Sequence, residues 1–168
     1  MFVYTWNRPP PDSDELLDIS PLNDDFNQPV QLKVEPGLSS FGKFHDYNCS
    51  NIKVILADRP EAVVDYITPL LRVAEKHIPS DRHSETVLYM LATAGMRMIP
   101  EADQNAILSE LRANVPKVTN FIFSDNHVDI ISGKEEGVYA WISANYVLNR
   151  LKVLKVGSSN ISITINSR

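Results

Sequence analysis

Residues 131–148 read I-S-G-K-E-E-G-V-Y-A-W-I-S-A-N-Y-V-L, and the rest of the chain is organised around this stretch. An apolar run (Val128, Ile130, Ile131) ends, the chain turns at Gly133, and a helix begins. Val138, Trp141, Ile142 and Leu148 recur at helical spacing, which predicts a buried stripe with Asn145 beside it. Glu135 and Glu136 fall at the turn, just ahead of Gly137. Carboxylates in a first helical turn are favoured as ions by the free backbone N–H groups and the positive end of the dipole. An ionised carboxylate on a rigid strand-to-helix turn suits a general base that takes a proton from water. It equally suits plain support of a helix end, so the glutamate pair alone decides nothing.

Upstream, residues 86–94 (T-V-L-Y-M-L-A-T-A) form a nearly continuous apolar run, the pattern of a central parallel strand covered on both faces. The run ends in Thr93-Ala94-Gly95. Small residues at the carboxyl end of such a strand let a ligand approach the backbone, and they serve a close helix–strand contact just as well. Arg97 follows and is suited to bracing the loop by pairing with a carboxylate.

Residues 2–6 alternate as a strand before Pro9-Pro10-Pro11, and Val30, Leu32 and Val34 give a second strand that pairs with the first antiparallel. Residues 12–28, rich in Asp, Asn and Pro, read as a loop. Residues 43–54 read as an insertion or irregular loop, in which His45 and Cys49, four apart, are a possible metal pair but, with no partner pair nearby, read better as part of an ordinary polar loop. Pro60 marks a helix start, capped by Asp58 or Arg59, with Val63, Val64, Ile67, Leu70, Leu71 and Ala74 at helical spacing. Pro69 should kink or split that helix. His77 and His83 lie near its end as surface residues. Another helix opens at Pro100-Glu101, carries Ile107, Leu108 and Leu111, and ends near Pro116. Phe121, Phe123 and residues 128–131 supply the last strand segments. Strand, strand, helix, strand, helix, strand, helix implies an α/β lobe with a mixed sheet and helices on its faces.

The strings themselves carry a resemblance. G-K-E-E-G-V-Y-A-W-I-S-A-N-Y (residues 133–146) is similar to the third signature segment of the apyrase family, the nucleoside tri- and diphosphate diphosphohydrolases. L-A-T-A-G-M-R (residues 91–97) resembles the second segment, and K-V-E-P-G-L-S (residues 33–39) matches the loop that precedes a helix in that family. The wording is closest to the intracellular Golgi and lysosomal nucleoside diphosphatase branch, and it covers about residues 1–150. The resemblance implies one ribonuclease-H-like, actin-like lobe that lacks its first, central strand, the one carrying the first phosphate loop. Residues 1–150 would be a partial N-terminal lobe, and residues 151–168 a divergent extension whose Gly157-Ser158-Ser159 reads as a turn.

By the same resemblance, a water attacks the terminal phosphorus of a nucleoside di- or triphosphate. Glu136, which immediately precedes Gly137, is the catalytic base. Thr93, Ala94 and Gly95 position water and phosphate, while Trp141, Asn145 and Arg97 support the site. Mg²⁺ or Ca²⁺ is the implied cofactor, with its ligands in segments outside this chain, so no metal ligand is assigned. The chain alone is expected to be inactive, as an incomplete fragment of such an enzyme. Two alternatives are another actin-like phosphohydrolase, such as an exopolyphosphatase, and a non-enzymatic truncated product. T-A-G-M-R and W-I-S-A-N-Y weigh against the exopolyphosphatase.

Composition sets the outer bounds. Hydrophobic content of 43% and charged content of 22% are those of an ordinary globular chain. A net charge of −5 argues against a nucleic-acid partner, whose phosphates call for a basic surface. No apolar run approaches the roughly 18 residues of a membrane span, and the start is not a signal peptide. A Golgi or lysosomal lumen or membrane is implied for the parent family, with any membrane attachment through segments outside this sequence. Asn48-Cys49-Ser50 and Asn160-Ile161-Ser162 fit the glycosylation pattern, and the lone Cys49 has no disulfide partner in the chain.

Overall fold

The computed structural model describes residues 1–7, 16–35, 37–41, 62–156 and 160–165. The expectations for residues 43–54, the helix cap at 58–60 and the turn at 157–159 lie outside the described residues. Along the chain run β1 (Tyr4–Trp6), β2 (Ile19–Pro21), α1 (Val63–His77), β3 (Met90–Ala92), α2 (Ala94–Arg97), α3 (Glu101–Val118), β4 (Val128–Ile130), α4 (Gly133–Val147), β5 (Leu151–Val156) and β6 (Asn160–Ile165), with short 3-10 turns between. The class is α/β, but the second strand falls at 19–21, inside the stretch expected to be a loop, and not at 30–34. The chain divides into two compact units, one formed by Met1 and residues 31–133, the other by residues 2–30 and 134–168.

The first unit holds the core. On α1 the buried residues are Val63, Val64, Ile67, Leu71 and Ala74, and on α3 they are Ile107, Leu108, Leu111 and Val115. Both sets recur at three- and four-residue steps, so each helix turns one apolar stripe inward. All of these but Ala74 form a single cluster with Met96, Ile99 and Val128, against which Met90, Ala92 and Ile130 pack from the strands and Leu88 from just before β3. Pro69 lies inside α1 on its exposed side without splitting it, and the preceding Thr68 Oγ1 donates to the Val64 carbonyl at 2.7 Å. α3 likewise runs through Pro116 to Val118 instead of stopping there.

The expected central strand is shorter and barer than its apolar run suggests. Only residues 90–92 are strand, joined by one parallel bridge from Val87 to Ile122. Tyr89 is 63% and Leu91 48% exposed, so the core covers one face and not two. The parallel sense is as expected: β3 pairs with β4 in register Met90–Val128, Leu91–Asp129 and Ala92–Ile130. Arg112 on α3 fixes β4 from behind, donating to the carbonyls of Asp125 and Val128, both at 3.1 Å.

The N-terminal segment pairs only in part as expected. Residues 1–3 run antiparallel to residues 30–32, with Met1 and Leu32 exchanging backbone bonds at 2.7 and 3.1 Å and the Val3 amide donating to the Val30 carbonyl at 3.1 Å, whereas β1 pairs antiparallel with β2. Turn chemistry inside the supposed loop explains this. Asp24 Oδ1 accepts from the amides of Phe26 and Gln28, and Asn27 takes φ 59. Asp and Asn favour such self-bonded turns. The turn brings Pro29 opposite Asn23, and Val30 keeps one backbone bond to Val3. β5 and β6 form their own antiparallel hairpin. Among the described residues the strands thus make three two-stranded sheets in place of one mixed sheet.

The stripe on α4 is a second correction. Val138 (45%), Trp141 (55%), Ile142 (41%) and Leu148 (57%) are all exposed, and no residue of α4 is buried. Helical spacing groups residues on a face, but it does not supply the element that covers them.

Candidate active site

Four of the seven predicted site residues, Thr93, Ala94, Gly95 and Arg97, belong to the first unit, at the carboxyl end of β3. The ladder continues one step past the strands, with the Ile131 amide donating to the Ala92 carbonyl at 2.9 Å. The ends of the two parallel strands therefore sit side by side, and the chain leaves both of them in loops. At the first loop the Thr93 carbonyl accepts from the amides of Met96 (3.0 Å) and Arg97 (3.3 Å), closing the short turn of α2. Its side chain makes no capping bond. A threonine before a helix ordinarily spends its hydroxyl on such a bond, and here the exposed Thr93 leaves it unspent.

Arg97 reaches from this loop to the next. Its Nη1 donates to the Ile131 carbonyl at 2.6 Å, and a Cβ built on Gly133 would lie 3.9 Å from Nη2. The guanidinium thus braces the exit of β4, where the third string begins. The expectation for Arg97 was a carboxylate partner; the bond seen here goes to a backbone carbonyl.

Ser39 was not singled out from the sequence. It stands in the short 3-10 turn Leu38–Phe41, and its Oγ lies 3.0 Å from the position a Cβ on Gly95 would take. A side chain at 95 would press on that hydroxyl, which would have to shift by a few tenths of an ångström to admit it. The clue in the sequence was the K-V-E-P-G-L-S string. Nearby, Lys33 Nζ pairs with Glu35 Oε1 at 2.7 Å in full exposure. The hydrogen bond and charge of Lys33 hold the Glu35 carboxyl below its usual range.

Glu136, Trp141 and Asn145 belong to the second unit, on α4. Glu135 and Glu136 are both exposed in its first turn. Asn145 Nδ2 donates to the Trp141 carbonyl at 2.8 Å, a bond along the helix. Tyr146, also not singled out, ties α4 to the N-terminal hairpin. Its hydroxyl donates to the Leu17 carbonyl and accepts from the Ile19 amide, both at 2.6 Å.

Small residues and a hydroxyl at the carboxyl end of a parallel strand are where open α/β sheets bind ligands. The chain belongs to the GDA1/CD39 (nucleoside phosphatase) family, whose pattern matches residues 1–163. It is 45% identical over 152 residues to human ectonucleoside triphosphate diphosphohydrolase 4, covering 90% of this chain and 22% of that protein. Identity to ectonucleoside triphosphate diphosphohydrolase 7 of Mus musculus is 42% over 163 residues, 97% of this chain and 24% of that protein. Nucleoside-triphosphatase ntp-1 of Caenorhabditis elegans is 45% identical over 150 residues, 89% of this chain and 24% of its own length. The chain therefore spans about a quarter or less of these curated relatives.

Proposed function

We propose that this segment supplies part of the active site of a nucleoside di- or triphosphate hydrolase that cleaves the terminal phosphate by direct attack of water. The observation that carries the reading is the Arg97–Ile131 bond. It ties the loop of the second string to the end of β4, two residues before Gly133. Family membership supports the same reading.

In this account Glu136 orients the water and takes its proton, so that hydroxide character develops only as the phosphorus–oxygen bond forms. Thr93, with the backbone at Ala94 and Gly95, positions water and phosphate by neutral donors. Such donors stabilise developing charge without reorganising. Trp141 and Asn145 support the helix that carries the base. The fold assignment that goes with this reading is one actin-like lobe, with residues 1–150 as its part and residues 151–168 as an extension. A Golgi or lysosomal setting is proposed for the parent protein. No helix among the described residues is long and apolar enough to cross a membrane.

Phosphoryl hydrolysis of this kind ordinarily draws on Mg²⁺ or Ca²⁺. Among the described residues, no three His, Cys, Asp or Glu side chains gather into a cation site. The residues described here do not fit the ion by themselves. The deciding experiment compares Glu136→Gln with Glu135→Gln in a complete enzyme carrying this segment. Loss confined to Glu136→Gln supports the role given to it.

A further inference from the structure

The K-V-E-P-G-L-S string, matched by resemblance but given no role, ends in a side chain that the fold places at the phosphate loop. We propose that Ser39 is a further phosphate-positioning residue, whose hydroxyl, lodged against Gly95 at the carboxyl end of β3, donates a hydrogen bond to a phosphoryl oxygen held at the Thr93–Gly95 loop. The inference rests on the function proposed above and adds a residue to it.

Three observations converge. The Ser39 Oγ and Cβ stand 3.0 and 3.5 Å from where a Gly95 Cβ would be, so the hydroxyl occupies space that a side chain at 95 would claim. Glycine in a helical turn weakens it by about 1 kcal/mol relative to alanine, so the close approach is kept at a cost to α2. Second, Ser39 is half-buried, and among the described residues its hydroxyl makes no hydrogen bond. A half-buried hydroxyl with no partner among the described residues is a donor available to a ligand. Third, its neighbour is the end of a parallel strand, where open α/β sheets bind ligands. There the hydroxyl of Thr93 is also unspent on the helix. Two neutral donors flanking one glycine loop suit a tetrahedral oxyanion, which accepts bonds from several directions.

Packing alone makes a different forecast. If Ser39 only fills space, Ser39→Ala removes one oxygen, cannot clash, and changes nothing but local contact.

The test titrates a complete, isotope-labelled enzyme carrying this segment with inorganic phosphate, followed by the backbone amide signals, with chloride at matched ionic strength as control. The expected result is a saturable, joint shift of the Ser39, Thr93 and Gly95 signals. Ser39→Ala should weaken phosphate binding at least threefold with an otherwise unchanged spectrum, and Ser39→Thr, which keeps the hydroxyl, should restore most of it. Equal phosphate binding by wild type and Ser39→Ala overturns the proposal, and so does the absence of any phosphate-dependent shift at Ser39. Failure of the hydrolase reading is seen separately, as turnover in a complete enzyme that is indifferent to Glu136→Gln.

Discussion

Arg97 Nη1 and the Ile131 carbonyl stand 2.6 Å apart, so the second signature string holds the backbone from which the third departs. The two residues are 34 positions apart in sequence and share the carboxyl end of one parallel pair. A guanidinium bonded to a carbonyl contributes about 1.5–3 kcal/mol when shielded, and less at this exposed site. Arg97→Ala should lower the melting temperature by about 2–4 °C, as a loss near 1 kcal/mol does in a chain of this size. In a complete enzyme it should also reduce kcat, because the turn leading to Glu136 loses its brace. Arg97→Lys should recover part of the stability through one donor. An unchanged melting temperature in Arg97→Ala would remove the brace from the account.

Ile107 is fully buried between α1 and α3. Ile107→Ala should cost about 2–5 kcal/mol, from lost transfer energy and the cavity left behind. Denaturant unfolding measures this directly. Val138→Ala on the exposed face of α4 should cost far less in the same chain.

These two substitutions show where sequence was sufficient. The stripes of α1 and α3 were legible because each helix carries its apolar residues at regular steps and finds its partner within the same unit. The stripe of α4 has the same regularity, yet Trp141 stays 55% exposed. Periodicity encodes a face and says nothing about its cover. The strand at 19–21 was missed for a different reason. Asp24 and Asn27 build a local turn whose bonds are made by side chains, and an apolar pattern does not register them. Thr93, Gly95 and Arg97 were legible as members of a string. Ser39 was not, because its contact with Gly95 spans 56 residues and depends on the absence of a side chain at 95.

Burial lifts the Tyr66 phenol above its usual value of 10.0, with the nearby Glu35 carboxylate adding to the effect. Its hydroxyl lies 3.3 Å from the Val34 carbonyl, to which it donates. A group whose value is raised by folding stabilises the fold below its unfolded value, and that contribution is lost as pH rises through the folded value. Stability should therefore fall as pH climbs past about 10. Tyr66→Phe should make the decline shallower. Denaturant midpoints at pH 8 and pH 11 for both proteins check this, and identical declines would contradict it.

Hydrolysis by a complete enzyme carrying this segment should stop in excess chelator and return with Mg²⁺ or Ca²⁺. The donors at Thr93 and Gly95 are neutral, and the terminal phosphate needs its charge offset. Phosphate release from a nucleoside diphosphate before and after chelation measures it. Undiminished release would exclude the ion from the reaction.

The central claim is that Glu136 is the base, and the most direct measurement is the steady-state rate of Glu136→Gln beside Glu135→Gln in that complete enzyme. Glutamine keeps the size and hydrogen bonding of glutamate but cannot take the water's proton. A general base contributes about 10²- to 10⁴-fold, so Glu136→Gln should lower kcat by that order and leave KM nearly unchanged. Glu135→Gln should change kcat only slightly. The opposite ranking, or equal small losses in both, would contradict the assignment.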